Sequence, residues 1–120
     1  MFIILWQYRV RSELASDFER LYGPDGVWAQ LFRLGEGYLG TELLRDRNDA
    51  SRYLTVDRWV SRESYEAFRT ARSDEYLAID RETERLTLDE QLIGSFELLG
   101  ATVSNCSPTT ASADCSLSSD

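Results

Sequence analysis

Apolar and polar positions alternate along residues 2–10, with Phe2, Ile4, Trp6, Tyr8 and Val10 on one face and Ile3, Leu5, Gln7 and Arg9 on the other. A period of two over nine residues predicts a strand. The period then lengthens. Leu14, Phe18, Leu21 and Tyr22 form a helical stripe that Ser12 is placed to cap and that Gly23-Pro24 ends. Pro24 also suits the first turn of a second short helix carrying Val27, Trp28, Leu31 and Phe32 and stopping at Gly35. Alternation returns from Tyr38 to Arg45 and, after the polar turn Asp46-Arg47-Asn48-Asp49, from Arg52 to Val60. At Ser61, a good N-cap, the pattern turns helical again, with Glu63 and Glu66 near the positive end of the dipole and Tyr65, Phe68 and Arg72 at helical spacing. Tyr76, Ile79, Thr83 and Leu86 continue that spacing through the acid-rich stretch Ser73 to Glu90, and Leu92 to Leu98 reads as a last strand.

The resulting order is βαββαβ, which predicts an α+β, ferredoxin-like fold with a four-stranded antiparallel sheet. Residues 1–98 form the domain, and residues 99–120 form a Ser/Thr-rich tail too poor in apolar residues to order itself. Helices cover one face of such a sheet, yet both faces here carry apolar residues. One set, including Ile3, Leu5, Leu39, Leu43, Leu54, Val56, Val60 and Ile93, predicts a homodimer packed sheet to sheet. The other holds Trp6, Tyr8, Tyr38, Glu42, Tyr53, Thr55, Asp57, Trp59 and Phe96, with Gly40 and Gly94 in phase. Under the helices, Asp57 and Glu42 would sit among aromatics, where partial burial raises a carboxyl pKa towards that of a working base. The same residues also fit a plain aromatic core with both acids paired to arginines near strand ends.

Charge and composition remove other chemistries. The chain of 120 residues has a net charge of −8, and neither nucleic acid nor an anionic membrane finds a basic patch to bind. All 13 basic residues are arginine and histidine is absent, which excludes Ser–His and Cys–His nucleophiles, histidine-ligated metals and lysine Schiff bases. Cys106 and Cys115 lie in the tail without metal or redox spacing. Without a basic leader or a long apolar run, the expected location is cytoplasmic.

The segments ILWQYRV, GYLGTELLRD and YLTVDRWVSRESYEAF together resemble the antibiotic biosynthesis monooxygenase family over about residues 2–98. The resemblance implies a dimeric α/β barrel, with Trp59, Ser61, Glu63 and Tyr65 matching a structural signature of the family. The family's haem-degrading branch is expected to carry an Asn on the first strand, a Trp on the third helix and a His ligand. Here the aligned positions are Trp6 and Phe68, and there is no histidine. The resemblance instead implies a cofactor-free monooxygenase, with molecular oxygen as co-substrate, acting on a small aromatic or polyketide-type molecule. On that reading Asp57 is the base, with Glu42 second. Trp6, Tyr8, Tyr38, Tyr53, Trp59, Phe68 and Tyr76 line the pocket, and Trp28 and Phe32 act as lid. The same barrel could hold a hydrophobic small molecule without transforming it, or act as a cyclase or isomerase.

Overall fold

The computed structural model describes residues 1–102 and 104; the expectations for Cys106, Cys115 and most of the tail lie outside the described residues. The elements are β1 (Phe2–Val10), α1 (Ala15–Tyr22), α2 (Val27–Phe32), β2 (Tyr38–Arg45), β3 (Arg52–Trp59), α3 (Arg62–Ala71), α4 (Ser73–Thr83) and β4 (Thr87–Glu97). Four antiparallel strands in the order β2-β3-β1-β4 make the sheet, so the α+β, ferredoxin-like arrangement is present. Ser61 caps α3: its backbone is extended and its hydroxyl accepts the Ser64 N–H at 3.1 Å. Ser12 caps nothing. It opens a 3₁₀ turn, Ser12–Leu14, ahead of α1. Pro24 lies in the turn closed by the Gly26 N–H on the Gly23 carbonyl, and α2 starts only at Val27.

The last strand begins at Thr87, five residues before the expected Leu92. Leu86, fully buried, anchors the chain after α4, and its carbonyl accepts from Arg11 N–H at the end of β1. Pairing to β1 then takes over residues 87–90, into which the spacing of Tyr76, Ile79, Thr83 and Leu86 extends the expected helix. Paired residues on neighbouring strands share a face, so the register defines rows across the helix-covered side. The rows are Tyr38–Trp59–Phe2, Thr41–Asp57–Ile4–Ser95, Leu43–Thr55–Trp6–Leu92 and Arg45–Tyr53–Tyr8–Glu90. The outer rows pack solid. Trp59 and Phe68 lie 5.1 Å apart at one end, and Phe18 contacts Tyr53 at 4.8 Å and Tyr22 at 4.2 Å near the other. The middle rows carry Asp57, Thr41 and Thr55, which cannot fill space as rings do.

Two irregularities change the expected faces. Gly40, at φ +150°, breaks the β2 register between Tyr38 and Gly40. Beyond it Leu43 turns under the helices and Glu42 turns to the open face, where it pairs with Arg58 at 2.8 Å. On β4 the register shifts between the partners of Leu5 and Trp6, so Phe96 stands opposite Ile3 on the open face, not beside Trp6. A single extra residue inverts the face of everything beyond it. On the open face, Leu44 and Phe96 are 47% and 48% exposed, a large apolar area for a sheet in water.

Candidate active site

Over the middle rows the helices leave a hollow lined by Trp6, Tyr8, Tyr22, Trp28, Phe32, Thr41, Thr55, Asp57, Tyr76, Asp80 and Glu90. Strand alternation aims Trp6, Tyr8, Thr55 and Asp57 upward from β1 and β3. Helical spacing of four brings Trp28 with Phe32, and Tyr76 with Asp80, onto the facing sides of α2 and α4. The rings meet edge to face, Trp28 on Tyr76 at 4.9 Å and Tyr8 on Tyr22 at 5.1 Å. The hollow has about 420 Å³ of empty space, of which about 30 Å³ admits the centre of a water molecule. A ring-sized ligand therefore enters only if a wall gives.

Asp57 is the chemical centre. It is 7% exposed, and its Oδ1 accepts from the Thr41 hydroxyl at 2.7 Å, which is itself 2.5 Å from the Tyr38 hydroxyl. Burial raises its carboxyl from 3.8 to about 6, with the Thr41 hydrogen bond pulling the other way. No arginine faces it in the hollow. The phenols are held protonated: burial pushes Tyr22 up to about 12, and Tyr8 and Tyr76 well up. Tyr8 also accepts from Thr55 at 3.4 Å. The Trp28 Nε1, buried, stands near the Tyr22 hydroxyl without completing a hydrogen bond.

Of the residues expected from sequence, Asp57, Trp6, Tyr8, Trp28, Phe32 and Tyr76 line the hollow. Tyr38 reaches it through Thr41. Four do not come to it. Glu42 is on the opposite face because of the Gly40 bulge, and is spent on Arg58. Trp59 and Phe68 are sealed in the end core at 0% and 3% exposure. Tyr53 is buried beside Phe18, its hydroxyl donating to Glu19 Oε2 at 2.5 Å. Tyr22, Thr41, Thr55, Asp80 and Glu90 were not among the expected site residues. Tyr22 lay in the α1 stripe and Thr55 in phase with Asp57, and Asp80 follows Tyr76 by one turn, so three of the five had a signal.

The family model for antibiotic biosynthesis monooxygenases matches residues 1–81. The chain belongs to the antibiotic biosynthesis monooxygenase family. No curated protein sequence matches it. Solved structures share the fold. One, assigned provisionally to the antibiotic biosynthesis monooxygenases, from Deinococcus radiodurans, has a TM-score of 0.65 at 20% identity, covering 89% of this chain and 100% of that one. A variant of SnoaB, a cofactor-independent oxygenase from Streptomyces nogalater, has a TM-score of 0.66 at 16% identity, covering 83% and 94%. A variant of MhuD with two manganese protoporphyrin IX per active site has a TM-score of 0.66 at 19% identity, covering 87% and 100%.

The MhuD complex corrects the expectation of a cofactor-free protein, because this fold also accommodates a metalloporphyrin. The donors of the present hollow bear on which one. With no histidine in the chain, an imidazole-ligated haem does not fit. A phenolate ligand would have to come from Tyr8, Tyr22 or Tyr76, at each of which burial favours the neutral phenol in the protein alone. Among the described residues no group of three or more His, Cys, Asp or Glu could hold a metal ion, and no helix is long and apolar enough to cross a membrane.

Proposed function

We propose that this member of the family is a monooxygenase-type enzyme acting on a small aromatic or polyketide-type molecule, with residues 1–98 as the acting unit of a cytoplasmic homodimer. The observation that carries the reading is Asp57, a carboxyl buried among aromatic rings and tuned to about 6. At neutral pH such a group is mostly ionised, yet it holds a proton far better than a solvent-exposed aspartate. It takes the proton of a phenol, or of a C–H beside an aryl ketone, onto its free oxygen, while Thr41 keeps the other oxygen in place. The anion left behind is electron-rich, the form in which an aromatic is most readily oxidised. Tyr8, protonated and within the same hollow, is the donor available to a developing oxyanion. The apolar open face supports the dimer, since packing against a second copy would remove Ile3, Leu5, Leu54 and Phe96 from water.

The test is oxygen uptake on a panel of hydroxylated polycyclic aromatics, run with protein alone, with added haemin and with reduced flavin. The expected result is uptake with a product that has gained one oxygen atom and lost two hydrogens, the substrate supplying the electrons and the second oxygen atom leaving as water, and this activity is lost by roughly 100-fold or more in Asp57→Asn. Unchanged turnover in Asp57→Asn would remove the proposed base. Binding without turnover, or a product formed without oxygen, would replace the oxygenase with a carrier or an isomerase.

A further inference from the structure

The proton step uses one of the three acidic side chains in the hollow. The other two, Asp80 and Glu90, converge on it from different elements: Asp80 from α4, one turn after Tyr76, and Glu90 from β4, opposite Tyr8. Neither carboxylate has a hydrogen bond or an ion pair among the described residues. They act on each other, for burial first and the charge of Asp80 next raise the Glu90 carboxyl. No arginine lines the hollow. Arg69, which stacks 3.8 Å from the centre of the Tyr76 ring and donates to the Tyr65 hydroxyl at 3.0 Å, lines the neighbouring groove, from which its charge reaches Asp80.

Aromatic faces carry negative electrostatic potential and attract cations. Here the faces and edges of Trp28, Tyr76, Tyr8 and Tyr22 adjoin two carboxylates that, with Asp57, outnumber the Arg69 charge reaching Asp80 and Tyr76, so rings and acids together favour a cation. An anionic aromatic acid entering this space meets repulsion from every acidic side chain in it. A positively charged group relieves the Asp80–Glu90 repulsion and gains attraction to the rings at once.

We infer that the molecule taken by this hollow carries a protonated amine, with its ring against the aromatic walls and its ammonium group between Asp80 and Glu90. The inference rests on the hollow being the substrate site and narrows the substrate to an amine-bearing aromatic. Asp57 lies deeper in the sheet and remains free to take the proton from the other end of the same molecule.

Three probes of one shape test it: 1-naphthylmethylamine, 1-naphthylmethanol and 1-naphthoate, titrated into the full-length protein at neutral pH and low salt. Trp6 and Trp28 report binding by fluorescence. The amine is expected to bind about 10-fold more tightly than the alcohol, and the carboxylate most weakly. In Asp80→Asn/Glu90→Gln the amine should fall to about the affinity of the alcohol. Raising the salt should narrow the amine preference in the unmutated protein, a readout independent of how the variant folds. An alcohol that binds as tightly as the amine, or a carboxylate that binds best, overturns the inference while leaving the hollow as a binding site. Failure of all three probes to bind removes the site itself, and the inference with it.

Discussion

Replacing Asp57 by Asn should make the protein more stable at neutral and higher pH and should leave it unchanged in acid. The carboxyl sits at about 6 in the folded chain against 3.8 for an ordinary aspartate, so folding disfavours its ionised form. The difference of about two pH units corresponds to about 3 kcal/mol, at about 1.4 kcal/mol per unit. Because the folded pKa is raised, the folded state binds more protons between 3.8 and about 6, and stability from this group falls as pH rises through that window. Below it the carboxyl is neutral in both states and the penalty is absent; above it the penalty is complete. Asn keeps an oxygen to accept from Thr41 Oγ1 and carries no charge, so it removes the penalty without opening a cavity. Urea denaturation at pH 8 should show Asp57→Asn more stable by up to about 3 kcal/mol, and the gain should shrink towards zero near pH 4. An equal shift at both pH values, or a loss of stability at pH 8, would refute the claim that a buried charge is strained here.

The pH dependence of turnover should have an acid limb near 6, since only ionised Asp57 can act as base, and Thr41→Val should move that limb to higher pH by removing the bond that favours the anion. Phe68→Ala should lower stability by about 3–5 kcal/mol in denaturant, yet leave the Kd of 1-naphthylmethanol unchanged, because Phe68 packs on Trp59 outside the hollow. Phe96→Asp on the open face should convert the proposed dimer to monomer in sedimentation, with the far-ultraviolet spectrum retained. Ser61→Ala should cost about 1 kcal/mol in thermal or urea denaturation through the lost cap on Ser64 N–H.

The strands were legible because alternation over eight or nine residues leaves few other readings, and Ser61 was legible because a capping side chain acts locally. What sequence could not show was phase across a bulge. Gly40 looks like any strand glycine until its φ is known, and that one angle decides whether Glu42 or Leu43 faces the helices. The start of β4 was obscured for a related reason. Leu86 continues the helical spacing of Tyr76, Ile79 and Thr83 through an acid-rich stretch, and only its burial and the pairing with β1 favour the strand. Ring type alone also misled: Tyr53, Trp59 and Phe68 look like Trp6 and Trp28 in a sequence, and only their positions in the outer rows make them packing rather than lining. Asp80 and Glu90 fell inside an acid run that reads as a solvated surface, and their convergence depends on how α4 crosses β4.

The sheet order also has a consequence for how the chain comes into being. β1, made first, is flanked in the finished molecule by β3 and by β4, the last strand to be made. While residues beyond 86 remain within the ribosome, one edge of β1 has no partner and the hollow lacks the Glu90 side. Pairing the two ends of the domain closes a loop of nearly its whole length, a contact of high order that slows folding relative to local pairing. The nascent protein thus exposes Trp6 and its neighbours until β4 has emerged, and acquires its site in a late step rather than by gradual growth.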